Sequence, residues 1–278
     1  MKTLFVTDLD GTLLGSDSRV SAVSARLVTD LIRQGALISV ATARTPATVV
    51  PLLSGTGIKV PAIVMTGASM WDFETSRYVD SRFFAPGVTY RTVNAFVDAG
   101  VNPFVYALGR DGMLTVRHCA KMTKHEDSFY QERRGLPLKK FVLDMTEGYD
   151  TAFLGAILLL GIGETPRIDA LAKQLRESKQ LSVSAYQDIF NPAISYIEVF
   201  DSGVSKADAV MELKEMTGAD RVVVYGDNLN DLTMFAVADE SVAVDNARPE
   251  VKAVANRIIG PNTADSVAKD MLEQFERG

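Results

Sequence analysis

Residues 3–14 read TLFVTDLDGTLL. Leu4, Phe5 and Val6 form a short β-compatible run closed by turn chemistry, the pattern of a buried strand. The strand ends on Asp8, Leu9 and Asp10, followed by Gly11-Thr12. Side chains two apart on a strand share a face, so extended geometry points both carboxylates the same way. Like charges that close repel, and relief requires a proton on one or a cation between them. Open α/β sheets hold their ligands outside the carboxyl ends of their strands, where this pair falls. Gly11 suits a chain that must turn sharply there.

Outward from this stretch the chain alternates. Val20, Val23, Leu27, Val28, Leu31 and Ile32 recur at helical spacing and stop at Gly35. ALISVAT (36–42) is a second buried strand, and Thr45-Pro46 is an N-cap with proline at the first helical position. Pro51 should kink or shorten that helix. PAIVMTG (61–67) is a third strand, and Trp71 to Val79 a small hairpin turning at Glu74 to Arg77. Buried strand alternating with helix predicts an α/β fold, a Rossmann-like parallel sheet with helices on both faces.

The rhythm changes after Pro86-Gly87. A helix is expected from about Val88 to Ala99, and PFVYAL and MLTVRH flank a four-residue hairpin loop, Gly109 to Gly112. A polar helix from Thr123 to Arg134, a strand over 153–161, a helix after Thr165-Pro166 and a strand over 181–188 follow. Hairpins mixed with helices predict an α+β module. From Ile194 the first rhythm returns: YIEVF, a helix capped by Ser205, RVVVYGD, SVAV, a helix after Pro249, RIIG and a terminal helix. The expected organisation is a core over 1–83 and 194–278, interrupted by an inserted α+β domain over 84–193.

The bulk properties exclude several classes. The length of 278 residues suits two domains, and 47% hydrophobic with 23% charged residues is ordinary for a globular protein. A net charge of −6 without a basic patch argues against nucleic acid. One cysteine, Cys119, leaves no intrachain disulfide framework, and two histidines, His118 and His125, are too few for a His-rich zinc site. No run of about 18 uninterrupted apolar residues predicts a membrane span. The first strand begins at once, leaving no room for a signal peptide, so a cytoplasmic protein is expected.

Three further stretches share the position of the Asp pair, at the carboxyl end of a core strand or the helix start beside it. Thr42 and Arg44, in Ala41-Thr42-Ala43-Arg44, offer a hydroxyl and backbone N–H groups to a phosphoryl oxygen, although a satisfied first-turn threonine reads the same way. Lys206 follows the cap Ser205, where the helix dipole prefers anions. That misfit suggests that Lys206 serves a phosphate or Asp8, the plain alternative being an exposed surface lysine. In VVVYGDNLNDLTM (222–234), Asp227 and Asp231 are one helical turn apart, with Asn230 between them. Helix capping explains one acidic residue there, but not two together with Asn230.

DLDGTLL, Lys206 and GDNLND in this order resemble the haloacid dehalogenase (HAD) superfamily of Mg-dependent phosphohydrolases, across the whole chain. The insertion, with SYIEV, GVSKADAV and AVDNARPEVK, is similar to its subclass IIB, the Cof-type phosphatases, and makes 84–193 a cap domain. The resemblance implies Asp8 as nucleophile and Asp10 as general acid/base, with Thr42, Lys206 and Asn230 on the phosphoryl oxygens. It implies Mg²⁺ on the Asp8 carboxylate, the Asp10 carbonyl and the Asp227 carboxylate, with Asp231 direct or one step behind. Four converging carboxylates repel by about 4 kcal/mol per pair at 4 Å and an effective dielectric near 20, which also asks for a cation, and Mg²⁺ prefers such oxygen ligands. Lys206 is expected at the mouth of the site. Three positions depart from the family: Thr42-Ala43-Arg44 for T-G-R, Thr66-Gly67-Ala68 for N-G-A, and Lys206-Ala207 for K-G. Arg44 and Thr66 are therefore weaker, substrate-proximal candidates.

The function implied is hydrolysis of a small phosphorylated metabolite, such as a sugar phosphate, through an aspartyl phosphate. A sugar phosphomutase of the same fold and a phospho-acceptor signalling module are the rival readings. Arg110, Arg117, His118 and Lys121 of the insertion are candidates for selecting the substrate.

Overall fold

The computed structural model describes residues 1–143, 155–188 and 191–277. The chain divides into two compact units, one of Met1–Asp80 with Ser205–Gly278, the other of Ser81–Val204.

The first unit begins with β1 (Thr3–Thr7), a tight helical turn over Leu9–Leu13, α1 (Ala22–Arg33), β2 (Leu37–Val40) and α2 (Pro46–Leu53). Ser21 caps α1, its hydroxyl oxygen accepting from the Ser24 N–H. Pro51 lies in the last turn of α2, where a short helix absorbs it. Then come β3 (Ala62–Val64), β4 (Ser69–Asp72) and β5 (Arg77–Val79). The third predicted strand is shorter than expected and leaves the main sheet. β3, β4 and β5 form an antiparallel sheet of their own, joined to the end of β2 by one parallel bridge, Ala41 to Ile63. The chain cannot remain extended beyond Val64, because Met65, Thr66 and Gly67 all adopt positive φ (49°, 59° and 95°).

The second unit holds α3 (Pro86–Asp98), β6 (Phe104–Leu108), β7 (Leu114–Arg117), α4 (Lys124–Arg133), β8 (Lys139–Val142), β9 (Ala156–Glu164), α5 (Thr165–Leu175), β10 (Leu181–Gln187) and β11 (Ile194–Asp201). Its six-stranded sheet runs β10-β11-β9-β6-β7-β8. Val105, Leu159, Ile197 and Val199 of one sheet face pack with Val93 and Phe96 of α3 and Ile168, Leu171 and Leu175 of α5. Two expectations need correcting. YIEVF is a strand, but β11 belongs to this sheet and not to the core, antiparallel to β9 and β10. The unit accordingly closes at Val204 and opens at Ser81, instead of spanning 84–193. Of the strand expected over 153–161, Phe153 and Leu154 lie outside the described residues; β9 begins at Ala156.

The chain returns to the first unit with α6 (Lys206–Thr217), β12 (Arg221–Gly226), α7 (Leu232–Phe235), β13 (Glu240–Val244), α8 (Pro249–Val254), β14 (Arg257–Ile259) and α9 (Ser266–Arg277). The parallel sheet has the order β14-β13-β12-β1-β2, with helices on both sides. α1 packs with α9, and α6 with β1. Leu4, Phe5, Val6, Val222, Val223 and Val224 are wholly buried, which explains why these strands read as continuous apolar runs. β1 and β12 are neighbours in register, Thr7 beside Tyr225, so Asp8 falls beside Gly226 and Asp227 follows one residue later. Among the described residues no helix is long and apolar enough to cross a membrane.

Candidate active site

The site is built where β1 and β12 end. Asp8 closes β1 in extended conformation and its N–H donates to the Tyr225 carbonyl (2.9 Å). The turn after it needs Gly11, at φ 77°; an added Cβ there would lie 2.5 Å from Asp227 Oδ2. The chain thus passes tight against Asp227, whose Oδ1 accepts from the Thr12 hydroxyl (2.9 Å).

Lys206 is the centre of the arrangement. Its Nζ donates to Asp8 Oδ1 (2.6 Å) and to Asp231 Oδ1 (2.7 Å), and the residue is wholly buried. This corrects the expectation of a lysine at the site's mouth. The turn of β3 places it: an added Cβ on Gly67 would sit 2.3 Å from the Ser205 carbonyl oxygen, so the turn and the start of α6 are in direct contact. The Ser205 hydroxyl oxygen caps α6 through the Asp208 N–H (3.1 Å).

Asp231 has no oxygen to spare. Oδ1 takes the Lys206 ammonium, and Oδ2 accepts the N–H groups of Asp227 (2.9 Å) and Asn228 (3.0 Å). It therefore holds the β12 loop and the lysine in place. Among the described residues, Asp8 Oδ2 and Asp227 Oδ2 accept no hydrogen bond. One ligand atom from each of Asp8, Asp227 and Asp231 lies within 4.8 Å of the others.

Asp10 does not join them. Its carboxylate turns to Arg44, Nε to Oδ2 at 2.7 Å and Nη2 to Oδ1 at 2.5 Å, and its side chain is half-exposed (53%). The expected convergence of four carboxylates is thus three. The fork-to-fork pair accounts for the difference, since guanidinium and carboxylate match in two parallel hydrogen bonds. The bond to Asp10 holds the Arg44 guanidinium even further above its ordinary range.

Thr42 is buried and its hydroxyl oxygen accepts the Arg44 N–H (3.2 Å), while its carbonyl accepts the Thr66 N–H (2.9 Å). Asn230 is exposed on the tight turn Leu229–Asp231. Three partners were not singled out from the sequence: Thr12, Asn246, whose Nδ2 donates to the Gly11 carbonyl (2.7 Å), and Arg248, whose N–H donates to the Asp227 carbonyl (2.9 Å). Asn246 lies inside AVDNARPEVK, and only the fold shows that it braces the first loop. Of the candidates for substrate selection, Arg110 and Lys121 are exposed on the second unit and Arg117 is half-buried. His118 is corrected to a core residue, buried with its ring stacked on Phe104 at 3.9 Å.

The electrostatics ask for a further positive charge. Three carboxylates against one ammonium leave two negative charges uncompensated if all are ionised. Burial, against the opposing pull of Lys206, pushes Asp8 up to about 8; burial likewise raises Asp227 to about 6. The two carboxylates hold Lys206 charged, above its ordinary range, despite its burial. A divalent cation fits this donor set: two free carboxylate oxygens, hard ligands, and a charge deficit of its own size.

The profile of the haloacid dehalogenase-like hydrolases matches residues 5–271. The chain is 23% identical over 268 residues to pyridoxal phosphate phosphatase YbhA of Escherichia coli, covering 94% of each chain. It is 23% identical to 5-amino-6-(5-phospho-D-ribitylamino)uracil phosphatase YcsE of Bacillus subtilis, with 96% of this chain and 93% of the other covered. A haloacid dehalogenase-like hydrolase from Bacteroides thetaiotaomicron superposes with a TM-score of 0.76 at 21% identity, over 100% of this chain and 99% of that one. A subclass IIB sugar phosphatase of that superfamily superposes at 0.76 and 18% identity, over 99% of each chain.

Proposed function

The chain belongs to the haloacid dehalogenase-like hydrolases and is a phosphoric monoester hydrolase of their Cof type; on that premise we propose that it cleaves a small phosphorylated metabolite, such as a sugar phosphate, with Mg²⁺ bound. The observation that carries the reading is Lys206, buried and held between Asp8 and Asp231, with Asp227 alongside. Both relatives described above are named for phosphate monoesters of small molecules, which supports the substrate class.

One Asp8 carboxylate oxygen attacks phosphorus as the bond to the leaving oxygen breaks, and an aspartyl phosphate results. Lys206 pulls Asp8 towards its ionised form, against burial, and fixes its rotamer. It also supplies positive charge as the phosphoryl group comes in. Asp8, Asp227 and the Asp10 carbonyl would hold the ion, with Asp231 fixing the loop behind them. Bound Mg²⁺ contributes charge neutralisation between the carboxylates and the phosphate. Thr42 and Asn230 are assigned to the phosphoryl oxygens. Asp10, released from Arg44 and protonated from solvent, gives its proton to the leaving oxygen; the carboxylate then takes a proton from the water that attacks the aspartyl phosphate, freeing phosphate and restoring Asp8. The second unit acts as the cap that selects the substrate, and the protein works in the cytoplasm.

Phosphate release from an aryl phosphate should require Mg²⁺ and stop in chelator; full activity in chelator sinks the reading. Asp10→Asn should release about one equivalent of phenol per enzyme and then nearly stop, because an aryl leaving group needs little acid help whereas water still needs a base. Mass spectrometry should then find one phosphoryl group on the peptide holding Asp8.

A further inference from the structure

Arg44 and Asp10 are joined by their side chains alone. β1 and β2 lie side by side, Thr7 next to Val40, so the turns that follow carry Asp10 and Arg44 past one another. Each backbone is pinned elsewhere. The Arg44 N–H donates to the Thr42 hydroxyl oxygen (3.2 Å), and its carbonyl accepts from the Met65 N–H (3.0 Å). The Asp10 turn is closed by the Leu14 N–H on the Leu9 carbonyl (2.9 Å) and braced by Asn246 on the Gly11 carbonyl (2.7 Å). The ion pair can therefore open without moving either segment. It also reaches solvent, with 27% of the Arg44 side chain and 53% of the Asp10 side chain exposed.

Closed, the pair keeps Asp10 from its work. Both carboxylate oxygens accept from Arg44, at 2.7 and 2.5 Å, and neither is left for a leaving oxygen or a water. Opening it strands a partly buried guanidinium without its counter-charge, which is costly. The fork occupies Nε and Nη2, and among the described residues Nη1 makes no hydrogen bond. The edge formed by Nη1 and Nη2 is the second one on which a guanidinium pairs with an oxyanion in two bonds. An anion arriving there meets the Asp10 carboxylate, and like charges that close repel. It displaces Asp10 while Arg44 stays paired throughout. A neutral group has no differential affinity for the open and closed pair, so it cannot shift the exchange.

On the acid and base role proposed above for Asp10, we propose that Arg44 is the specificity-determining residue for a second oxyanion on the substrate, a carboxylate or a further phosphate, which takes the guanidinium and frees Asp10 for the leaving oxygen. The substrate class narrows to phosphate monoesters that carry a second acidic group.

The test compares three ester series on the full chain with Mg²⁺ present: n-alkyl phosphates of two to five carbons, the same esters ending in a carboxylate, and the same chains ending in a second phosphate. Alkyl leaving groups are poor, so acid help from Asp10 stays in the rate. The best anionic ester should exceed its neutral counterpart roughly tenfold in kcat/KM, the worth of one charged fork. Arg44→Met should erase this preference from both sides: kcat/KM falls on anionic esters, while kcat rises on neutral ones because Asp10 is no longer held. Arg44→Lys should shift both in the same directions, since an ammonium cannot fork, and it serves if the methionine variant does not fold. A preference for the carboxylate series or for the bisphosphates identifies the second group. Equal kcat/KM for all three series at every length, with Asp10→Asn inactive, overturns the role of Arg44 and leaves that of Asp10 standing. An equal loss on neutral and anionic esters in Arg44→Met makes Arg44 a plain brace and overturns it as well. An Asp10→Asn protein that hydrolyses alkyl phosphates like the wild type overturns both.

Discussion

Lys206 sets what a single residue does here. A wholly buried ammonium between two carboxylates cannot be removed without leaving buried charge behind. Breaking such a pair from one side costs about 3–5 kcal/mol. Protonation of Asp8, already pushed up to about 8, offsets part of this. Lys206→Met is therefore expected to lose about 3 kcal/mol in urea denaturation and to lower kcat by roughly 10²–10³, the worth of one charge contact in the transition state. Unchanged stability with less than a tenfold loss of turnover would make it a surface lysine after all. The sequence marked Lys206 through its awkward place in a helix's first turn, but burial depends on Gly67 meeting Ser205, a contact between segments more than a hundred residues apart. Asp10 is similar: its spacing from Asp8 was plain, whereas its turn towards Arg44 needed the folded loop.

At the scale of the element, the turn Met65–Gly67 joins the ends of β2 and β3 to the start of α6. Thr42 and Arg44 carbonyls accept the N–H groups of Thr66 and Met65, at 2.9 and 3.0 Å. Thr66 sits at φ 59° and ψ 23°, a left-handed conformation that a β-branched residue adopts at a cost of about 1–2 kcal/mol. Asparagine tolerates it better. Thr66→Asn is expected to raise stability by about 1 kcal/mol, read as a higher urea midpoint at unchanged slope; a lower midpoint would mean that the threonine methyl packs well enough to outweigh the strain. The elements themselves were largely legible, because buried parallel strands and amphipathic helices leave periodic runs. Partnership was not. YIEVF reads as a strand in either sheet, and only its pairing with β9 and β10 assigns β11 to the second unit. β8 was missed because KKFV is four residues long and half basic.

For the whole molecule, the uncompensated carboxylates couple stability to pH. Without a metal, burial pushes Asp8 up to about 8 and Asp227 up to about 6, from an ordinary 3.8. The folded state then binds more protons than the unfolded one in this window, so stability falls as pH rises from about 4 to about 8. The carboxylates held below the ordinary range, Asp239, Asp265 and Asp270, work with opposite sign but only in more acidic solution. On the proposed reading a divalent ion would replace the protons, so the melting-temperature gain from Mg²⁺ over chelator should be larger at pH 8 than at pH 5, and flat in Asp8→Asn. A gain equal at both pH values, or larger at pH 5, would place the ion elsewhere. The sheet order carries a last consequence, for synthesis. β1 lies between β2 and β12, so it waits for residues 221–226 before its second edge is covered. At about 5–20 residues per second the wait after residue 80 is roughly 7 to 30 seconds, during which TLFVT presents an open apolar edge to the ribosome's surroundings. The second unit is one continuous run and is whole once Val204 has been added. The part made second should thus finish first. A chain ended at Val204 is expected to yield a protease-resistant fragment from 81–204 while 1–80 is digested; protection of 1–80 in that truncated chain would show that β1 does not need β12.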